Sequence, residues 1–163
     1  MKEKIKKQYS EASYNIVGPD GGEMARLKNL SKKLNIEKNV NFLGPKDFDS
    51  IKNLSKRASF YLQTSKLEGM AMSVVEAMQL GLVPIVTPVG EIKNYCRDGV
   101  NAILIHDEDS AVKSILNLLD NKNTFEKIRQ NTISYWDDSE IYPESIERAS
   151  LSILNTENAK NIN

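Results

Sequence analysis

Five short apolar runs, each separated from the next by a stretch of helical periodicity, constrain this chain more than any other feature. The runs are Tyr14–Gly18, Val40–Leu43, Ser59–Gln63, Val83–Val86 and Ala102–Ile105. Each is short and nearly continuously apolar, which is the pattern of a parallel strand buried on both faces. Between them the apolar residues recur every three or four positions. Met24, Leu27, Leu30 and Leu34 make one such stripe, and Ile51, Leu54 and Ala58 another. Met72, Val75 and Met78 make a third, closed by Gly81 as a helix stop with Pro84 soon after. A fourth holds Val112, Ile115, Leu116 and Leu119, with Asp109 as its expected cap. Further helices are predicted at Lys2–Ser10, 122–134 and 143–155, and a frayed polar tail at 156–163. Strand, helix, strand with short connections predicts a Rossmann-like α/β domain over residues 1–155. About five parallel strands would carry helices on both faces through right-handed crossovers.

Composition removes competing classes. The 22 Lys and Arg balance the 22 Asp and Glu, so no bulk positive field draws a nucleic acid. The single Cys excludes a disulfide scaffold and fits a reducing, cytoplasmic compartment. No apolar run reaches the roughly 18–20 residues of a membrane helix, and no signal peptide is visible.

Ligands of open α/β sheets bind beyond the carboxyl ends of the strands, so the loops after the strands carry the chemistry. Gly18-Pro19-Asp20-Gly21-Gly22 could offer backbone N–H groups to a phosphate, or be a tight turn needing positive φ. It is neither a dinucleotide fingerprint nor a Walker A loop. In the Glu68–Glu76 stretch one carboxylate follows a strand and the second interrupts an apolar helix. Two helical residues eight apart would lie about 12 Å apart in rise and near one face. An ionised carboxylate only accepts hydrogen bonds, and sugar hydroxyls are natural donors to it. On spacing alone, a capping Glu plus a solvated Glu is the better fit. Thr87–Glu91 is a second Gly-containing loop, with Glu91 either at a helix start or in a pocket. His106 is alone, Asp107–Asp109 read as caps and Cys96 as a packing residue. No Ser-His-Asp, HExxH or Cys/His metal spacing is present.

Taken in order, these segments resemble the C-terminal domain of group 1 (family 4) retaining glycosyltransferases, one half of a GT-B fold. Ile16-Val17-Gly18-Pro19-Asp20-Gly21 is similar to the opening strand and turn of that pattern, and Val40-Asn41-Phe42-Leu43-Gly44 to its V-x-F-L-G. Glu68 through Glu76, followed by Ala77-Met78, is similar to E-x7-E, and Gly81-Leu82-Val83-Pro84-Ile85-Val86 to G-x-P-x-V. Val89-Gly90-Glu91 and Asp98-Gly99-Val100-Asn101-Ala102 resemble the later segments. The ordered set is specific where each motif alone is weak, and it favours a working Glu pair over two unrelated carboxylates.

The resemblance implies roles. Glu68 would face the donor sugar and the transition state, and Glu76 the ribose. Gly69, Met70, Ala71, Met72 and Gly18 would lie against the sugar and diphosphate. Gly44, Pro45 and Lys46 would line the base. It implies a UDP-, GDP- or ADP-sugar as substrate, no cofactor and no metal, and work in polysaccharide or glycoconjugate assembly. Three readings compete: a binding module without activity, a sugar-nucleotide epimerase piece, and an interaction domain.

The departures are specific. Ala71 stands where the pattern has Gly, which requires a backbone outside the positive-φ region. Set against the family pattern, the chain is expected to lack the family's first strand, with its basic diphosphate clamp, and the N-terminal acceptor domain. Any peripheral membrane contact would come through that missing half, and this piece alone would be inactive. The Lys residues at 2, 4, 6 and 7 read as a solvated helix face. With the first strand missing, strands 14–18 and 59–63 are expected to pair directly.

Overall fold

The computed structural model describes residues 1, 4–5 and 8–137. The predicted helix at 143–155 and the polar tail lie outside the described residues. Five strands occur where the apolar runs place them: β1 (Tyr14–Val17), β2 (Val40–Gly44), β3 (Phe60–Gln63), β4 (Val83–Val86) and β5 (Ile103–Leu104). The helices are α1 (Met24–Lys33), α2 (Phe48–Ser55), α3 (Met72–Gln79), α4 (Ile92–Tyr95), α5 (Glu108–Asp120) and α6 (Lys122–Asp137). A leading helical segment is described at Lys4, Ile5 and Gln8, with Ile5 N–H donating to Met1 O and Tyr9 N–H to Ile5 O.

The strands pair in parallel, but in two sheets rather than one. β1 pairs with β2, and β3, β4 and β5 form a second sheet with β4 in the middle. The expected direct pairing of β1 with β3 does not occur. Each keeps one edge unpaired among the described residues. Backbone bonding requires strands to approach within about 4.8 Å. The half-buried Tyr14 and Tyr61 are near enough for their phenols to interact, but no backbone ladder joins their strands.

Alternation along β4 sorts helices onto both faces of the larger sheet. Val83 and Ile85 join Ala111, Ile115 and Leu118 of α5 and Ile128 of α6. Val86 joins Val74, Val75 and Met78 of α3 and Ile92 and Tyr95 of α4. β4 is buried along its whole length, as a central strand covered on both sides must be. No residue of β1 or β2 belongs to either cluster, and the α1 stripe is incompletely covered, with Leu30 at 42% exposure.

The turns follow their sequence signals, with one correction. α3 ends in a Schellman motif, with Gly81 N–H on Met78 O, Leu82 N–H on Ala77 O, and Gly81 at φ +74°. Asp47 caps α2, its Oδ1 accepting from Ser50 N–H at 2.9 Å. The cap of α5 is Asp107, not Asp109. Asp107 Oδ1 accepts from Ser110 N–H at 2.8 Å, while Asp109 sits in the first turn and pairs with Lys4. The helix starts earlier than expected because Asp107 has the extended backbone a cap needs.

Candidate functional site

The carboxyl ends of β3 and β4 project two loops that brace one another. The first runs from Thr64 to Ala71 and delivers the chain into α3. The second runs from Thr87 to Glu91 and delivers it into α4. Thr87 Oγ1 donates to Ser65 O at 2.5 Å, and Glu91 N–H donates to Gly69 O at 3.1 Å. Tyr95, buried on α4, donates its phenol hydrogen to Met70 O at 2.8 Å. Gly90 lies so close that a Cβ on it would stand 2.1 Å from Glu68 O. The first loop is thus held through its carbonyls, which leaves side chains and N–H groups for other partners.

Glu68 belongs to this loop rather than to the helix, so the helical arithmetic for the Glu pair does not apply. Its carboxylate is half-buried and accepts from Gln63 Nε2 at 2.6 Å. Gln63 closes β3, and its Oε1 accepts from Tyr61 Oη and Ser73 Oγ, each at 3.1 Å. Glu76 lies on α3 one turn beyond Ser73, on the exposed side of the helix. It is flanked in sequence by the buried Val75 and Ala77, but its own position is exposed, so no buried partner is needed. No hydrogen bond or ion pair engages its carboxylate among the described residues. Tyr61 on β3 lies within reach of the charge of both carboxylates. Burial raises its phenol pKa, a Ser73 hydrogen bond opposes this, and the charges of Glu68 and Glu76 add to it.

The entry to α3 corrects another expectation. Ala71 takes a left-handed backbone, φ +54° and ψ +59°, although it carries a side chain. That geometry costs an L-residue about 1–2 kcal/mol. Its methyl is buried against Val74, Val75 and their neighbours, which offsets part of the cost. Ala71 gives α3 no side-chain cap, and the first turn carries no acidic residue. Val74 N–H donates to Ala71 O at 2.8 Å, while the N–H groups of Met72 and Ser73 keep their capacity for an acceptor. Met70 and Met72 flank the start and are 43% and 57% exposed. Gly69 has open space where a Cβ would stand.

The remaining predicted residues gather at the ends of β1 and β2. Gly18 N–H donates to Gly44 O at 3.0 Å, which brings these two glycines together at φ +137° and +66°. Asp20 Oδ1 accepts from Gly22 N–H at 2.8 Å and Met24 N–H at 3.2 Å. The N–H groups of Gly18, Gly22 and Met24 are thus engaged within the protein, and this part of the loop is a turn. Pro45 and Lys46 follow Gly44 and are exposed. Between the two loops lies an open cleft of about 120 Å³, lined by Ile16, Gly18, Pro19, Phe42 and Gly44 among others. Complete small-molecule pockets run to about 300–1,000 Å³, so this cleft could take only part of a ligand. Among the described residues no three His, Cys, Asp or Glu are placed to hold a metal ion. None of the helices described is long and apolar enough to cross a membrane.

Glu91, whose two readings were open, precedes α4 and is exposed, holding Asn94 through its carboxylate at 2.7 Å. Its contribution to the first loop is made by its backbone. Sequence reasoning missed Gln63, Ser73, Thr87 and Tyr95 as neighbours of the site. A polar residue ending the otherwise apolar β3 is the signal that could have found Gln63.

A parallel α/β domain with two loops converging on a helix start that has no side-chain cap is an architecture that binds ligands at its strand ends, and comparison supplies the class. A family described as glycosyl transferases, group 1, matches residues 2–135, and the chain belongs to it. It corresponds to the C-terminal, Rossmann-like domain of such enzymes. An uncharacterized glycosyltransferase of Haemophilus influenzae is 37% identical over 105 residues, covering 64% of this chain and 27% of that protein. The chain thus spans about a quarter of that relative's length. The C-terminal domain of a group 1 glycosyl transferase (LpcC) from Francisella tularensis superposes with a TM-score of 0.72 at 19% identity, over 83% of this chain and 73% of that one. A mutant of S. aureus TarM, in complex with Fondaparinux, alpha-GlcNAc-glycerol and UDP, gives a TM-score of 0.80 at 21% identity. That match covers 94% of this chain and 31% of TarM.

Proposed function

We propose that this chain is the donor-binding half of a retaining glycosyltransferase, which moves a sugar from a nucleoside diphosphate to an acceptor hydroxyl in glycoconjugate or polysaccharide synthesis. The observation that carries the reading is the uncapped start of α3, flanked by Glu68 on the braced loop and Glu76 on the helix's exposed side. As the bond from the anomeric carbon to the diphosphate oxygen breaks, negative charge grows on the departing diphosphate. Helix-start amides are suited to that charge, and an interaction that strengthens as charge develops accelerates the step. In this reading Gly69, Met70, Ala71 and Met72 present the diphosphate and sugar side, with Gly18 leaving room. Glu68 is the catalytic carboxylate, holding sugar hydroxyls and the positive character at the anomeric carbon. Glu76 accepts from the ribose hydroxyls. Gly44, Pro45 and Lys46 border the base beside the cleft at Phe42. No cofactor is required, and UDP is the leading candidate because it is bound in the similar TarM structure.

The acceptor site belongs to another part of a longer protein in this reading, and the chain alone does not turn over. Support comes from the share of the relative that it spans and from the unpaired edges of β1 and β3, which a further strand of the full protein would fill. Calorimetric titration of UDP, GDP and ADP tests the site. Saturable binding of one of them, weakened by Glu76→Gln, is the expected outcome. Binding that Glu76→Gln leaves unchanged would remove the ribose role, and no binding of any would remove the donor site from this chain.

A further inference from the structure

The polar cluster behind Glu68 has a directionality of its own. Gln63 stands at the end of β3 with a primary amide that is donor on one side and acceptor on the other. The Nε2 side meets Glu68 Oε1 at 2.6 Å and Ser65 Oγ at 3.3 Å. The Oε1 side meets the hydroxyls of Tyr61 and Ser73, each at 3.1 Å. The opposite orientation of the amide is excluded by chemistry. An ionised carboxylate cannot donate, so turning the amide would set one acceptor oxygen against another. The hydroxyls can rotate to suit either orientation, and Glu68 therefore sets the direction of the whole cluster. Two of its members sit on rigid elements, Tyr61 on β3 and Ser73 on α3. Glu68 itself sits on a loop whose carbonyls are braced but whose side chain would otherwise swing on three rotatable bonds. The loop's backbone fixes where Glu68 starts, and Gln63 fixes where its carboxylate ends.

We propose that Gln63 is a positioning residue, which ties one carboxylate oxygen of Glu68 to the scaffold through Tyr61 and Ser73 and turns the other toward the donor sugar. The inference rests on the donor-site reading above. One oxygen is held by a short bond to a neutral donor, which keeps the charge and leaves Oε2 for a sugar hydroxyl. A charged donor in the same place would have neutralised the carboxylate instead.

Two readouts test this on the chain as it stands. The first needs no ligand. A side-chain amide proton of Gln63 that bonds a carboxylate at this distance is expected downfield of an unstructured Gln in a nitrogen–proton spectrum, and should move upfield in Glu68→Ala. A Gln63 amide signal indifferent to Glu68→Ala overturns the inference. The second readout is the gain in affinity that the sugar adds, measured as the ratio of UDP-glucose and UDP-N-acetylglucosamine binding to UDP binding. Gln63→Met keeps the length and loses the donor, and Gln63→Glu keeps the shape and sets a like charge against Glu68. Both, like Glu68→Ala, are expected to cut the better sugar's ratio at least about fivefold, while UDP binding itself stays within about twofold. A loss caused by misfolding would lower UDP binding as well, and the pair of variants guards against one failing to fold. A ratio that survives both variants, or that never exceeds one in the unaltered chain, overturns the inference alone. No binding of UDP refutes the donor-site reading and takes this inference with it.

Discussion

Replacing Gly90 by Ala tests whether the brace between the two loops is real. Gly90 has φ +56°, and an added Cβ would stand 2.1 Å from Glu68 O, 2.7 Å from Gly69 O and 2.8 Å from the Glu68 carbonyl carbon. All three atoms are backbone, so no side chain can rotate away. Ordinary contact requires the carbonyl to retreat by roughly 1 Å. Overpacking of this kind costs about 1–3 kcal/mol, and the left-handed backbone adds about 1–2 kcal/mol for an L-residue. The sum, about 2–5 kcal/mol, corresponds to a fall of roughly 4–20 °C in Tm for a domain of this size. Gly99→Ala is the control, because Gly99 has φ +66° but nothing within 4 Å of its Cβ position. It carries the backbone cost and the gain from a stiffer unfolded chain, and both cancel in the difference. Gly90→Ala should therefore be the less stable of the two by about 1–3 kcal/mol in denaturant titrations. Equal destabilisation, within about 0.5 kcal/mol by additivity of distant sites, would refute the brace. A displaced Glu68 carbonyl should also weaken nucleotide binding at temperatures where Gly90→Ala is still folded.

Three further outcomes follow from the structure. Asn101 is 2% exposed, accepts from Arg97 N–H at 2.7 Å and donates to Tyr95 O at 2.9 Å. Asn101→Ala strands two backbone groups and should cost about 2–4 kcal/mol in chemical denaturation. Cys96 is 1% exposed, and burial pushes its thiol up to about 12. Iodoacetamide at pH 8 should leave it unmodified until denaturant opens the domain, since the thiolate is the reactive form. Asp107 is held below its ordinary carboxylate value by the Ser110 hydroxyl and backbone N–H that it accepts. A depressed folded pKa stabilises above the unfolded value and loses that effect as pH falls through the folded one. The stability gap between the unaltered chain and Asp107→Ala should hold from pH 7 to about 5 and close below about 4.

Where strands and helices fall could be read from apolar periodicity alone, because the larger sheet is buried on both faces and its runs are uninterrupted. β4 is buried at every position, and Val83-Pro84-Ile85-Val86 has no polar residue to obscure it. That β1 and β3 do not pair could not be read, since strand neighbours are set by tertiary approach that no local pattern encodes. Ala71 misled for a different reason. A residue type predicts backbone conformation only on average, and here tertiary packing of its methyl outweighs local preference. Glu68 and Glu76 could be singled out by type and spacing. The environment of Glu68 could not, because Gln63 holds it and is itself held by Ser73, from a strand end and a helix start that lie ten residues apart.

The division into two sheets also divides the chain's resistance to opening. Hydrogen exchange of a backbone amide reports the least costly fluctuation that frees it. Amides of β4, α3 and α5 lie inside the two core clusters and should exchange only with global unfolding. The β1–β2 ladder contributes to neither cluster, so the amide of Gly18, bonded to Gly44, should exchange through a smaller, separate opening. Glu76, on α3, thus belongs to the unit expected to exchange slowly, and the paired glycines to the one expected to exchange quickly. A ligand that touches both would join the two into a single cooperative unit, and its binding would be visible as protection of Gly18 rather than of β4.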